Sequence, residues 1–417
     1  MANDLPSDAE VVLISVYSRP SEYLHGPLRQ RLVFFSAAFS PVGINAEKRT
    51  MPEAVSLIPR LYAFFAAAAG DNLALAVSPV FWYSESIKNH LTAITQEDMH
   101  MNWITEENYA ARMQAEAEPY LAVRRESGFT ERVKGQPIYY EHYRADAPKA
   151  VIVVSHGFTE SVTKFAESIY YMLQAGYEVW GLDHRGHGQS YRHNQNPYVV
   201  HVERFEDYVL DLKHLTETLV KPAAGALPVY LYCHSMGGCI GAWMIEAYPD
   251  LFQKAVLSSP MLGLSFGKIP VPVVYAAASL KGIGEKRKEP MDPINAFPAA
   301  DFEKSCDSSR CRYEYYYGKR LADVRLQTNS PSINWGKQSV KACARVCSKS
   351  HTGKIRIPVL LCQAGADDVV KNASQELFAS RVPSCELYRV PGMKHELYMT
   401  DSPVLIPYWE KVFAFLG

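Results

Sequence analysis

From residue 150 onward the chain alternates short apolar runs with amphipathic stretches, and the two periods predict strands and helices in turn. Residues 150–155 (AVIVVS), 177–182 (YEVWGL), 228–233 (PVYLYC), 255–258 (AVLS), 358–363 (PVLLCQ) and 387–390 (LYRV) have the length and the β-branched or aromatic content of buried strands. Between them, 162–174 and 205–220 repeat apolar residues at helical spacing, and Phe205, Val209, Leu212, Leu215 and Leu219 share one face of the second stretch. Residues 404–416 close the chain as a further helix. Strands alternating with helices predict a mostly parallel, doubly wound α/β sheet. Ahead of it, 129–143 alternates around Gly135-Gln136-Pro137, as an antiparallel hairpin at the sheet edge would.

One long stretch breaks this rhythm. Residues 261–350 carry 15 Lys or Arg against 8 Asp or Glu, a net of +7 in a chain whose total is -1. They also hold the aromatic run Tyr313, Tyr315, Tyr316 and Tyr317. The expected division is an N-terminal extension of unknown role (1–103), a first part of the core (104–260), an inserted cap or lid (261–350) and a second part of the core (351–417). Within the extension, the apolar stretch 61–83 is broken by Gly70, Asp71 and Asn72 into pieces too short to cross a bilayer, which suggests a buried helical pair.

Composition narrows the class without naming an activity. A hydrophobic share of 48% with 21% charged residues describes a globular chain with ample core. The near-neutral total excludes a whole-chain nucleic-acid binder. Acids rather than a basic segment precede the first apolar run, so a secretory signal is not expected, and eight cysteines without such a signal read as free thiols in a reducing compartment. The expected location is the cytoplasm, with peripheral contact at the inner face of a membrane as a second expectation.

The candidate chemistry begins at residues 231–240, LYCHSMGGCI. A serine between a buried strand and a small-residue helix occupies the setting of a nucleophile elbow, although Cys233 stands where that motif has its first glycine. In α/β-hydrolases the order is Ser, acid, His. Asp367 and Asp368 follow the strand at 358–363, and His395 follows the strand at 387–390, so Ser235, Asp367 and His395 fall in that order, each beyond a strand end. Asp367 is preferred to Asp368 as the acid. The first strand runs into His156-Gly157-Phe158, where a glycine turn can aim the Phe158 amide at a developing oxyanion, with the Met236 amide as second donor. His156, His184, His187 and His234 lack an acid at metal spacing, and the gaps within Cys306, Cys311, Cys343 and Cys347 are loose for zinc, so neither a metal nor another cofactor is expected.

HGFTES, GLDHRGHGQS, HVERFEDYVLDL, CHSMGG, LLCQAGADDVV and PGMKHE together resemble the lysophospholipase and monoacylglycerol lipase group of serine hydrolases, most of all its bacterial inner-membrane lysophospholipase type. The likeness runs from about Ile104 to the C-terminus. It implies an α/β-hydrolase fold with a cap insertion. It further implies Ser235, Asp367 and His395 as catalytic triad, the Phe158 and Met236 amides as oxyanion donors, and a lipid ester as substrate. Cleavage of a lysophospholipid is the expected activity. Monoacylglycerol lipase, a broader carboxylesterase or thioesterase, and an inactive hydrolase-fold scaffold are the alternatives.

Overall fold

The computed structural model describes residues 101–417 apart from 266 and 268, together with the backbone of Leu13–Tyr17 and Phe34–Ala38. The chain divides into two units, Met1–Gln96 and Glu97–Gly417. In the first, Leu13–Tyr17 pairs antiparallel with Phe34–Ala38; the helical pair expected at 61–83 lies outside the described residues.

The second unit is built on eight strands: β1 (Arg125–Thr130), β2 (Ile138–Tyr143), β3 (Ala150–Ser155), β4 (Tyr177–Leu182), β5 (Val229–His234), β6 (Lys254–Ser258), β7 (Val359–Ala364) and β8 (Cys385–Val390). Their order across the sheet is β8-β7-β6-β5-β3-β4-β2-β1. The β1–β2 hairpin is antiparallel and lies at the edge, as its alternation predicted, and β2 joins β4 antiparallel; the remaining pairs are parallel.

The sheet separates two apolar layers, and the two-residue period of its strands decides which side chain enters which. Val151 and Val153 of β3 point into one core, with Leu231 and Cys233 of β5 and Leu361 of β7. Their neighbours Ile152, Val154, Tyr232 and Leu360 point into the other. Helices fill both faces: α1 (109–122, with a π-helical middle turn at Met113–Ala117), α2 (Ala166–Gln174), α3 (Glu206–Leu215) and α4 (Met236–Ala247). The stretch 261–350 contributes α5 (Val271–Lys281), α6 (Arg310–Ala322) and α7 (Ile333–Val346), and the chain closes with α8 (Asn372–Arg381) and α9 (Ser402–Leu416). Phe205, Tyr208, Ile240 and Phe378 cover the first face; Ile169, Tyr171, Tyr408 and Trp409 cover the second. This is the mostly parallel α/β-hydrolase architecture.

Helix α7 is fastened at its start to the segment 199–203. Ser332 caps it by accepting from Trp335 N at 3.1 Å, and the same hydroxyl meets His201 Nδ1 at 2.9 Å. Asn334 donates to the Val202 carbonyl at 2.6 Å, and a two-residue parallel ladder joins Val199–Val200 to Ser330–Pro331. Among the described residues no helix is long and apolar enough to cross a membrane.

Candidate active site

The register of the sheet brings the candidate loops together. Ser155 of β3 lies opposite Cys233 of β5, Ser258 of β6 opposite Cys362 of β7, and Ala364 of β7 opposite Val390 of β8. The carboxyl ends of the parallel strands β3 to β8 therefore open on one edge of the sheet. The order also reverses between β3 and β5, and such a reversal is where open α/β sheets leave a crevice.

Ser235 sits in that crevice with φ 51° and ψ −115°, a backbone state that an L residue adopts only at a cost of about 1–3 kcal/mol. The turn is enforced on both sides. Its amide donates to Ser258 O at 3.0 Å, and its carbonyl accepts from Met261 N at 2.8 Å. Two residues on, a side chain at Gly237 would place Cβ 2.0 Å from Ser155 O, so only glycine lets α4 start this close to β3. Cys233, the departure from the usual motif, is accommodated elsewhere: a Cβ at Gly241 would lie 2.4 Å from its sulfur. The glycine missing before the serine is thus answered by one a turn and a half into the helix.

His395 Nε2 lies 2.8 Å from Ser235 Oγ, and His395 Nδ1 lies 2.6 Å from Asp367 Oδ2. A carboxylate only accepts, so Nδ1–H donates to Asp367 and Nε2 is left with its lone pair toward the hydroxyl. The other oxygen of Asp367 accepts from Val369 N at 2.9 Å and Val370 N at 3.0 Å, which holds the carboxylate plane. Asp367 has a fully buried side chain whereas Asp368 is exposed. The fold brings Asp367, and not its neighbour, to the histidine.

Phe158 lies three residues past the end of β3, and Met236 is the first residue of α4, beside the serine. Among the described residues neither amide has an acceptor, which leaves both free for a ligand oxygen. The Phe158 ring rests against Trp335 of α7 with centroids 4.1 Å apart, so α7 touches this loop directly.

The histidines around the crevice are structural in their bonding. His156 Nδ1 donates to Gly157 O at 2.7 Å and its Nε2 accepts from His184 N at 2.9 Å; His184 Nε2 meets Ser155 Oγ at 2.9 Å. Burial holds His156 neutral, with its pKa pushed down to about 4, and drives His184 and His187 well below the ordinary imidazole range. Cys343 and Cys347 donate to the Met261 and Leu262 carbonyls at 3.3 and 3.4 Å, as core thiols do.

One cluster escaped the spacing argument altogether. His234, Glu160 and Glu396 are buried with ligand atoms within 4.8 Å of one another, a grouping of the kind that holds a metal. Lys164 Nζ, however, lies 2.9 Å from Glu160 Oε1 and 2.9 Å from Glu396 Oε2, so an ammonium already supplies the cation these carboxylates need. Nothing in the chain signals this arrangement beforehand, because Glu396 lies over two hundred residues from Glu160 and Lys164 and over one hundred and fifty from His234.

Residues 146–402 match the Hydrolase_4 family, described as serine aminopeptidase, S33. The chain is similar to lysophospholipase L2 of Escherichia coli strain K12, at 29% identity over 306 residues that cover 70% of this chain and 83% of that protein. Monoglyceride lipase of Mus musculus is 31% identical over 274 residues, covering 63% of this chain and 81% of its own length. Among solved structures, a soluble variant of monoglyceride lipase from Saccharomyces cerevisiae superposes with a TM-score of 0.58 at 18% identity, covering 70% of this chain and 94% of that one. A likeness at that identity speaks for the fold.

Proposed function

The chain belongs to the Hydrolase_4 family and is a carboxylic ester hydrolase of the lysophospholipase and monoacylglycerol lipase type; from that premise we propose that it removes the fatty acyl group of a lysophospholipid through Ser235, His395 and Asp367. The observation that carries the mechanism is the unbroken relay from Asp367 Oδ2 through His395 to Ser235 Oγ, at 2.6 and 2.8 Å.

In this mechanism His395 Nε2 takes the hydroxyl proton as Ser235 Oγ attacks the ester carbonyl. Asp367 holds the imidazole in the tautomer that can do so and stabilises the imidazolium that forms. The carbonyl electrons move onto oxygen, and the amides of Phe158 and Met236 are the donors for that charge. Collapse of the intermediate expels the alcohol, protonated by His395, and leaves the acyl group on Ser235. Water, deprotonated by His395, then attacks the acyl carbonyl by the same route and releases fatty acid.

The lysophospholipid preference rests on the inserted cap. Its surplus of basic residues favours a phosphate-bearing head group or an anionic membrane face over a neutral ester. Helix α5 and the turn after it expose Val273, Leu280 and Ile283, at 56%, 73% and 70%, beside Lys281 and Lys286. An apolar cavity of about 270 Å³ lined by Ile269, Val273, Ala277, Met291 and Ile333 lies in this segment, apart from Ser235. We assign to this surface a peripheral contact with lipid.

Two measurements test the reading. A fluorophosphonate probe should label the protein and not its Ser235→Ala variant. A panel of lysophospholipid, monoacylglycerol and a short-chain aryl ester should show the first hydrolysed fastest. A preference for monoacylglycerol would replace the substrate, and absence of labelling would defeat the mechanism.

A further inference from the structure

Three segments must keep one register for the proposed chemistry: the loop that carries the Phe158 amide, the elbow of Ser235 and the loop of His395. Each has an ionisable residue next door. Glu160 lies two residues after Phe158, His234 immediately precedes Ser235, and Glu396 immediately follows His395. Their side chains converge on the Lys164 ammonium or on one another.

The contacts are specific. Lys164 Nζ bridges Glu160 Oε1 and Glu396 Oε2 at 2.9 Å each, and the three side chains are only 7%, 3% and 9% exposed. Glu160 Oε2 accepts the Gly157 amide at 2.5 Å, so the carboxylate fixes the His156–Gly157 peptide, next to the peptide that carries the Phe158 amide. Glu160 Oε1 also accepts from Tyr398 Oη at 2.7 Å, three residues beyond His395. His234 Nε2 stands 3.3 Å from Glu396 Oε2, and the His234 ring lies 4.9 Å from the His395 ring. From the cap, the Cys306 carbonyl accepts the Glu396 amide at 3.2 Å.

The electrostatics agree with a permanently charged clamp. Burial works against charge on Lys164, but Glu160 and Glu396 outweigh it and hold the ammonium well above its ordinary range. Burial likewise works against the Glu396 carboxylate, and Lys164 and His234 outweigh it and hold that group well below its own range. Asp307 of the cap faces the same cluster and is pushed up to about 6, chiefly by burial. A buried charge retained at such cost is best attested where it enforces one geometry over its alternatives.

We propose that Lys164 is a positioning residue, clamping the Phe158 loop to the His395 loop through Glu160 and Glu396 so that amide, nucleophile and imidazole share one register. It touches none of the reacting atoms. The inference rests on the proposed serine-hydrolase mechanism, and its test must separate the two.

The test uses the full chain, a soluble short-chain aryl ester and the rate of Ser235 labelling by a fluorophosphonate. Lys164→Met should lower kcat about 10- to 100-fold, the scale of a small misplacement of catalytic groups, with KM unchanged within about twofold. Labelling of Ser235 should slow by the same factor. Because a lone Lys164→Met leaves two buried carboxylates facing each other, the charge-balanced triple variant Lys164→Met, Glu160→Gln, Glu396→Gln is measured beside it. A folded triple variant that remains slow supports the clamp. Wild-type kcat and labelling in either variant overturns it, and so does a triple variant that fails to fold, since the cluster would then serve folding first. If the unaltered protein labels at Ser235 but does not turn over esters, the ester reading fails while the labelling rates still judge Lys164.

Discussion

The guanidinium of Arg312 and the carboxylate of Glu167 meet out of contact with water: Nη2 lies 2.9 Å from Oε1 and Nε 3.0 Å from Oε2, with the arginine side chain fully buried. Arg312 stands on α6 and Glu167 on α2, while a third group, Glu106, takes Nη1 at 2.5 Å. One buried cation therefore ties α6, the sheet-flanking helix α2 and the stretch before α1. Removing it leaves Glu167 without a counter-charge, held only by the hydroxyls of Tyr109 at 2.8 Å and Tyr171 at 2.6 Å. Arg312→Met is expected to destabilise the protein by about 3–5 kcal/mol in denaturant titration, and adding Glu167→Gln should recover part of that loss. Equal stability of the single variant and the unaltered protein would show that the pair contributes no net stability.

The neighbouring acids of the loop after β7 should separate cleanly. Asp367→Asn keeps the shape but presents the wrong hydrogen-bonding partner to His395 Nδ1, and kcat should fall by about four orders of magnitude. Asp368 is exposed, and Asp368→Asn should leave kcat near its starting value. A steady-state assay on an aryl ester distinguishes them; the reverse ranking would move the acid by one residue.

Stability should depend on pH through the buried histidines. His187 is enclosed and held neutral by burial, with His156 nearby, so its pKa in the fold lies well below the 6.5 of an exposed imidazole. The unfolded chain then binds a proton that the native state refuses, and stability falls as pH drops below 6.5, by about 1.4 kcal/mol per pH unit for such a group. Asp183 acts in the opposite sense, because burial raises its pKa to about 6 and the native state takes up its proton first. The net slope is therefore shared, and the single contribution is best read by difference. Between pH 7 and pH 5, His187→Gln should lose less stability than the unaltered protein by about that slope. Parallel curves would mean that water or a rotated side chain already accommodates the charge.

The lipid-facing reading of α5 predicts a split between substrates. Arg287 is paired with Glu203 at 3.1 Å and Lys288 with Glu285 at 2.8 Å, so the basic run is partly neutralised within the fold. Among the described residues Lys281 and Lys286 have no such partner. Leu280→Asp with Ile283→Asp, or higher salt, should weaken hydrolysis of lysophospholipid carried in anionic vesicles, since exposed charges are screened over about 10 Å at 0.1 M. Turnover of a soluble neutral ester should stay the same. Equal loss on both substrates would assign these residues to folding instead.

Much of this was legible along the chain, for a physical reason that particular elements make plain. The strand at Tyr177–Leu182 coincides with its apolar run, and those at Val229–His234 and Val359–Ala364 lie one residue beyond theirs. Burial of a strand is a local property, written in consecutive side chains. The elbow was readable for the same reason: a serine followed by two glycines constrains its own backbone. The order of Ser235, Asp367 and His395, each past a strand end, needed only the counting of elements.

The tertiary structure decided what depends on pairs distant in sequence. The choice of Asp367 over Asp368 follows from the turn that gives Asp367 Oδ1 the amides of Val369 and Val370 and points Oδ2 at His395. Gly241 became meaningful only once Cys233 was seen beneath it. The Lys164 clamp and the Arg312 tie join residues from loops that share no period and no spacing. Apolar burial repeats along a chain because each element must cover one face of the sheet, whereas a buried ion pair requires only that two charges arrive at one place, and that place is fixed by strand order and register.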